Sequence, residues 1–133
     1  MGLSFYTTRT FEFFPMKVLI IEDEAIVAMD LAYLVRSFGA KEVQVVSSAE
    51  EGLNWLKTKK PNLIFMDIKL KGRLDGIEAA KIIQANGPYQ LVYITAYNDE
   101  LILRQARQVP HLGIINKPFV TAEISQIFTQ LQP

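Results

Sequence analysis

The chain has no cysteine and only one histidine. These two shortages remove a disulfide scaffold, a thiolate zinc site, a cysteine nucleophile and a His-rich metal centre. They also fit a reducing compartment, and a cytoplasmic location is the expectation. Charge of one sign is equally lacking: fourteen basic residues balance fourteen acidic ones. No global field therefore draws the protein onto nucleic acid or an anionic membrane. No apolar run reaches the roughly 18–20 residues of a membrane span, so neither nucleic acid nor membrane is an expected direct partner. What is present is an ordinary globular composition, 50% hydrophobic and 21% charged over 133 residues. That suits a single core.

Residues 1–15 differ from the rest. Five of the chain's aromatics (Phe5, Tyr6, Phe11, Phe13, Phe14) fall there. The pattern is neither a secretory signal nor a myristoylation site, since Tyr6 stands where Ser or Thr is required. The expectation is a leader or extension over 1–15 and a functional domain over 16–133. An added edge strand or a self-associating aromatic arm is the other reading.

From Lys17 onward, short apolar runs alternate with helical periodicity. Val18-Leu19-Ile20-Ile21, Leu63-Ile64-Phe65-Met66 and Leu91-Val92-Tyr93-Ile94 read as strands buried on both faces. A more polar strand over 41–46, suited to a sheet edge, and a short one over 112–115 complete five. Helices are expected over 24–38, 48–59, 75–85, 98–108 and 121–131. Gly39 serves as a helix stop, and Ser48/Glu51 and Asp75/Glu78 show capping-box spacing. Asn98 is the expected cap of the fourth helix. Alternating strands and helices mean βαβ units, hence an α/β fold with a parallel sheet covered on both faces.

Ligands of such sheets bind beyond the carboxyl ends of the strands. Those ends carry Glu22 and Asp23, Asp67, Thr95 and Lys117. Singly, each has an ordinary structural explanation: dipole-stabilising acids, a loop aspartate, a capping threonine, surface punctuation at Lys117-Pro118. Jointly they are three carboxylates, a hydroxyl and an ammonium on one edge. Mutually repelling carboxylates call for a proton or a cation, and without His or Cys a hard ion with oxygen ligands fits best, Mg²⁺ in particular. A carboxylate nucleophile beside a metal, Lys and Thr is equipment for phosphoryl transfer.

These residues carry a resemblance. Val18-Leu19-Ile20-Ile21-Glu22-Asp23-Glu24, Met66-Asp67-Ile68, Asp75-Gly76-Ile77-Glu78, Ile94-Thr95-Ala96 and Asn116-Lys117-Pro118-Phe119 together resemble the CheY-like receiver domain of two-component response regulators. The resemblance extends from Lys17 to Gln132. It implies a flavodoxin-like, doubly wound five-stranded sheet of order 2-1-3-4-5. It also implies that Asp67 is the phosphoryl acceptor in a phosphorelay. Glu22, Asp23, Asp67 and the backbone carbonyl of Lys69 would hold Mg²⁺ (or Mn²⁺), while Thr95, Ala96 and Lys117 would bind the phosphoryl group. The expected donor is a sensor histidine kinase or phosphotransfer protein. The expected output is a downstream protein or a homodimer, through the face of the fourth helix, fifth strand and fifth helix. Such a domain is a phosphoacceptor in signalling rather than an enzyme.

The chain departs from the family pattern at three places. The acidic pair is Glu22-Asp23 rather than two aspartates. The loop after Asp67 has Lys71 where a proline is usual, and is one residue longer. Ile114 stands where the family carries an aromatic switch, so Tyr97 becomes a candidate to report loop movement instead. The rival function is a receiver-like interaction module that works without phosphorylation. In context, the domain is either a stand-alone receiver or part of a longer regulator or hybrid kinase. Lys57 to Lys60 read as a basic helix end and Trp55 as packing.

Overall fold

The computed structural model describes residues 16–96 and 98–131. The extension over 1–15 and Tyr97 lie outside the described residues. Five strands are present, β1 (Met16–Ile21), β2 (Ala40–Val46), β3 (Leu63–Asp67), β4 (Leu91–Thr95) and β5 (Gly113–Asn116). They alternate with α1 (Ala25–Ser37), α2 (Ala49–Leu56), α3 (Gly76–Ala85), α4 (Glu100–Arg107) and α5 (Thr121–Leu131). The strands form one parallel sheet in the order β2-β1-β3-β4-β5, as expected. The half-polar β2 is an edge strand, with only its first and last residues buried.

The three central strands are apolar throughout because both faces are covered. Leu19, Ile21, Ile64, Met66, Leu91 and Tyr93 pack with residues of α2, α3 and α4. Val18, Ile20, Leu63, Phe65, Val92 and Ile94 pack with α1 and α5 on the other side. Strand alternation thus sorts one continuous run into two half-cores. Phe38 stacks on Phe128, ring centroids 5.9 Å apart, tying the end of α1 to α5.

Local signals differ from the sequence reading at three points. The second helix ends at Leu56 rather than Lys59, and Lys57 to Lys60 are exposed. Its capping box is only half formed: Ser48 Oγ accepts from Glu51 N, but the Glu51 carboxylate turns to Ser47 N and Oγ. The cap of α4 is Asp99, whose carboxylate accepts from Leu101 N and Ile102 N, rather than Asn98. Both side chains suit the role chemically, and the position where the chain turns into helix decides between them. At α3 the box is complete, with Asp75 Oδ1 accepting from Glu78 N and Glu78 Oε1 from Asp75 N. Gly39 follows α1 with φ of 108°, the conformation expected of a helix stop.

Candidate functional site: an acidic cluster bound to Lys117

Parallel strands deliver their last residues to one edge. Glu22 follows β1, Asp67 ends β3, Thr95 ends β4 and Lys117 follows β5. The strand register holds these ends together, with Ile68 N donating to Ile94 O at 3.1 Å and Lys117 N to Thr95 O at 2.9 Å. Three of the polar residues are buried: Glu22 (1% exposed), Asp67 (3%) and Thr95 (0%).

The Lys117 ammonium links the carboxylates. It lies 2.5 Å from Glu22 Oε1, 3.1 Å from Asp67 Oδ2 and 3.6 Å from Glu24 Oε1. Asp67 Oδ1 accepts from Lys69 N at 3.0 Å, and Glu22 Oε2 accepts from Glu24 N at 3.1 Å. Asp23, half-buried, accepts at Oδ2 from Lys71 N at 3.1 Å. Backbone N–H groups thus orient three of the acids, and one ammonium offsets part of their charge.

Burial is the largest influence on Glu22 and raises its carboxyl to about 7, reinforced by Asp67 and opposed by Lys117 and the Glu24 amide. For Lys117, burial pulls downward, but its bonds to Glu22 and Asp67 outweigh this and leave it above its ordinary value. In the absence of a further cation, Glu22 therefore takes up a proton near neutrality.

Glu22, Asp23, Glu24 and Asp67 each offer a carboxylate oxygen within 4.8 Å of the others. An all-oxygen donor set of this kind suits Mg²⁺ or Mn²⁺ rather than zinc. Glu24, the fourth member, is not one of the residues that the strand-end pattern marks. Its signal was the third acid in Glu22-Asp23-Glu24. Gly76 is the other residue that sequence reasoning passed over as a site element. A Cβ there would collide with the Asp67 carbonyl oxygen and lie 2.8 Å from Ile68 Cα. Only glycine lets α3 start this close to the end of β3.

The remaining expected residues fall as follows. Lys69 and Ala96 are exposed on the loops after β3 and β4. Ile114 sits opposite Tyr93 in the β4–β5 register and packs, partly buried, on the α2–α4 side of the sheet. Tyr93 itself is fully buried, its hydroxyl has no hydrogen-bond partner among the described residues, and its ring lies against His111 at 5.7 Å. Burial, with the Asp75 charge adding, pushes the Tyr93 phenol above its ordinary value. Among the described residues no helix is long and apolar enough to cross a membrane.

Residues 18–129 match the family model of the response regulator receiver domain. The chain is 34% identical over 110 residues to the transcriptional regulatory protein PdtaR of Mycobacterium tuberculosis, covering 83% of this chain and 53% of that protein. It is 35% identical over 115 residues to the sensory transduction protein LytT of Bacillus anthracis, covering 84% and 45% respectively. It thus spans about half the length of the curated relatives it matches. Among solved structures, the signal receiver domain of a modulated diguanylate cyclase from Desulfovibrio desulfuricans G20 superposes with a TM-score of 0.82 at 26% identity, over 89% of this chain and 94% of that one. On sequence, sheet order and matching fold together, the chain belongs to the response regulator receiver domains of two-component systems.

Proposed function

We propose that this receiver accepts a phosphoryl group on Asp67, taken from a histidine kinase, a phosphotransfer protein or a small phosphodonor. The observation that carries the reading is the position of Asp67, a buried carboxylate with one oxygen on Lys117 Nζ and the other on Lys69 N. Those two bonds aim the carboxylate and reduce its reorganisation during attack.

A carboxylate oxygen of Asp67 attacks phosphorus and forms the acyl-phosphate O–P bond. The donor's bond to phosphorus breaks, and the leaving group, an imidazole or a carboxylate, departs with the electron pair. Lys117 stays close to the new phosphoryl oxygens and offsets their charge. The Thr95 hydroxyl and the Ala96 amide donate to them. Glu22, Asp23, Asp67 and the Lys69 carbonyl would hold Mg²⁺ (or Mn²⁺), which when bound would supply further positive charge at the transferring group. Glu24, exposed and within 4.8 Å of the other carboxylates, would be available as a further oxygen donor.

Output runs through the α4–β5–α5 face to a downstream protein or a second receiver, and α4 carries Leu101, which is two-thirds exposed. Drawing Thr95 toward the phosphoryl group shifts the β4–α4 loop, and Tyr97 within it reports the shift where Ile114 replaces an aromatic. The work is signalling in the cytoplasm, with no direct contact to nucleic acid or membrane. Residues 1–15 stand outside this unit as an extension.

Beryllofluoride, a phosphoryl mimic, tests the reading without covalent chemistry. With Mg²⁺ present, it should shift the amide resonances of Asp67, Thr95, Ala96 and Lys117. A phosphorylation-independent interaction module would show no such shifts.

A further inference from the structure

The loop between β3 and α3 has a charge pattern that the acceptor chemistry alone leaves unexplained. Within residues 68–74 it carries Lys69, Lys71 and Arg73, all exposed. Its backbone is bonded to two of the site's carboxylates, through Lys69 N on Asp67 and Lys71 N on Asp23. Gly72 takes φ of 118°, which turns the chain between Lys71 and Arg73. Two hydrogen bonds and one glycine therefore hold this cationic segment at the rim of the acidic cluster. Besides Asp67 and Asp23, the acids beside the loop are Glu50, whose carboxylate lies next to Gly72, and Asp75, which caps α3.

The cluster poses an electrostatic problem for its own substrate. Four carboxylates gather around one lysine, and they outnumber the charge that this lysine and one divalent ion provide. A phosphoryl donor is an anion and must approach that surplus. The backbone of Lys71 is bonded to the cluster at Asp23, and Arg73 follows two residues on, while charges act over roughly 10 Å at moderate salt. These cations lower the barrier to approach most for the most highly charged donor.

Resting on the reading of Asp67 as acceptor, we propose that Lys71 and Arg73 determine donor specificity, drawing anionic phosphodonors to the site and favouring dianionic acyl phosphates over less charged phosphorus–nitrogen donors. The two donor classes share the phosphoryl group and differ in charge and in leaving group. Lys69 is set apart because its backbone faces the site chemistry directly.

The test compares the parent with Lys71→Glu/Arg73→Glu and the neutral Lys71→Gln/Arg73→Gln, at saturating Mg²⁺, by the rate of phosphoryl gain in intact mass. Acetyl phosphate serves as the dianion. Phosphoramidate, with one negative charge fewer near neutral pH, supplies the phosphorus–nitrogen bond. At low salt the charge-reversed protein should lose about tenfold in rate with acetyl phosphate and only about threefold with phosphoramidate. The neutral pair should fall between, and the differences should shrink to about twofold or less in about 0.5 M salt. Mg²⁺ affinity, titrated separately, should rise in the charge-reversed protein, because the field that attracts anions opposes cations. General damage to the site would lower both quantities. Unchanged rates, a loss independent of salt, or an equal loss with both donors would overturn the proposal. A parent that gains no phosphoryl group would overturn the acceptor reading itself, an outcome visible before any variant is compared.

Discussion

The Lys117 ammonium and the Glu22 carboxylate stand 2.5 Å apart at the carboxyl edge of the sheet, and the carboxylate is buried to 1% exposure. Despite this contact, burial holds Glu22 at about 7. The folded protein therefore keeps a proton on Glu22 that the unfolded chain loses at its ordinary, lower value. That contribution to stability is present in full below the unfolded value and is lost as pH rises through about 7. Metal-free protein should become less stable between about pH 5 and 7.5, read as a falling urea midpoint. Mg²⁺ must displace the same proton, so its affinity should rise with pH to about 7 and then level off. Calorimetry in two buffers of different ionisation enthalpy would detect the released proton, and Glu22→Gln should abolish it.

Replacing the cation tests the other side of this pair. Lys117→Met leaves Glu22 and Asp67 buried without their ammonium. At pH 8 without metal the variant should lose about 3 kcal/mol, in the range for breaking a buried ion pair. At pH 5, with Glu22 already protonated, the loss should be much smaller. Urea denaturation at the two pH values gives the comparison, and an equal loss at both would contradict it.

Gly76 gives a steric prediction. A methyl group there must displace the Asp67 carbonyl or Ile68 Cα. Gly76→Ala should cost about 3 kcal/mol and weaken Mg²⁺ binding, because the displaced backbone carries the Asp67 carboxylate. Asp75→Ala, one residue away, removes only the cap and should cost about 1 kcal/mol with Mg²⁺ affinity retained. Thermal denaturation with a metal titration on each variant separates the two effects.

Tyr93 is buried, and among the described residues its hydroxyl has no partner. Removing a polar group that has no partner relieves a desolvation cost, so Tyr93→Phe should be neutral or stabilising by up to about 1 kcal/mol. A marked loss of stability would show that the hydroxyl is hydrogen-bonded in solution.

The fold was legible in the sequence because central strands buried on both faces leave uninterrupted apolar runs, as in Val18 to Ile21 and Leu63 to Met66. The acids and the lysine at strand ends were legible for the same reason, since parallel strands must bring those ends together. What escaped depends on geometry that no local pattern encodes. Asp99 rather than Asn98 caps α4, and the Glu51 carboxylate bonds Ser47 rather than completing a box. Glu24 joins the cluster, and Gly76 lets α3 crowd β3, only once the sheet has assembled. The amides of Lys69 and Lys71 on the acids belong to the same class, being tertiary products of a loop whose sequence alone shows only its charge.

The central claim is that Asp67 is a phosphoryl acceptor. Intact mass after incubation with acetyl phosphate and Mg²⁺, with Asp67→Asn alongside, tests it most directly. The account predicts one added phosphoryl group on the parent, none on the variant, and loss of the gain when the metal is chelated. No gain on the parent, or an equal gain on Asp67→Asn, would contradict it.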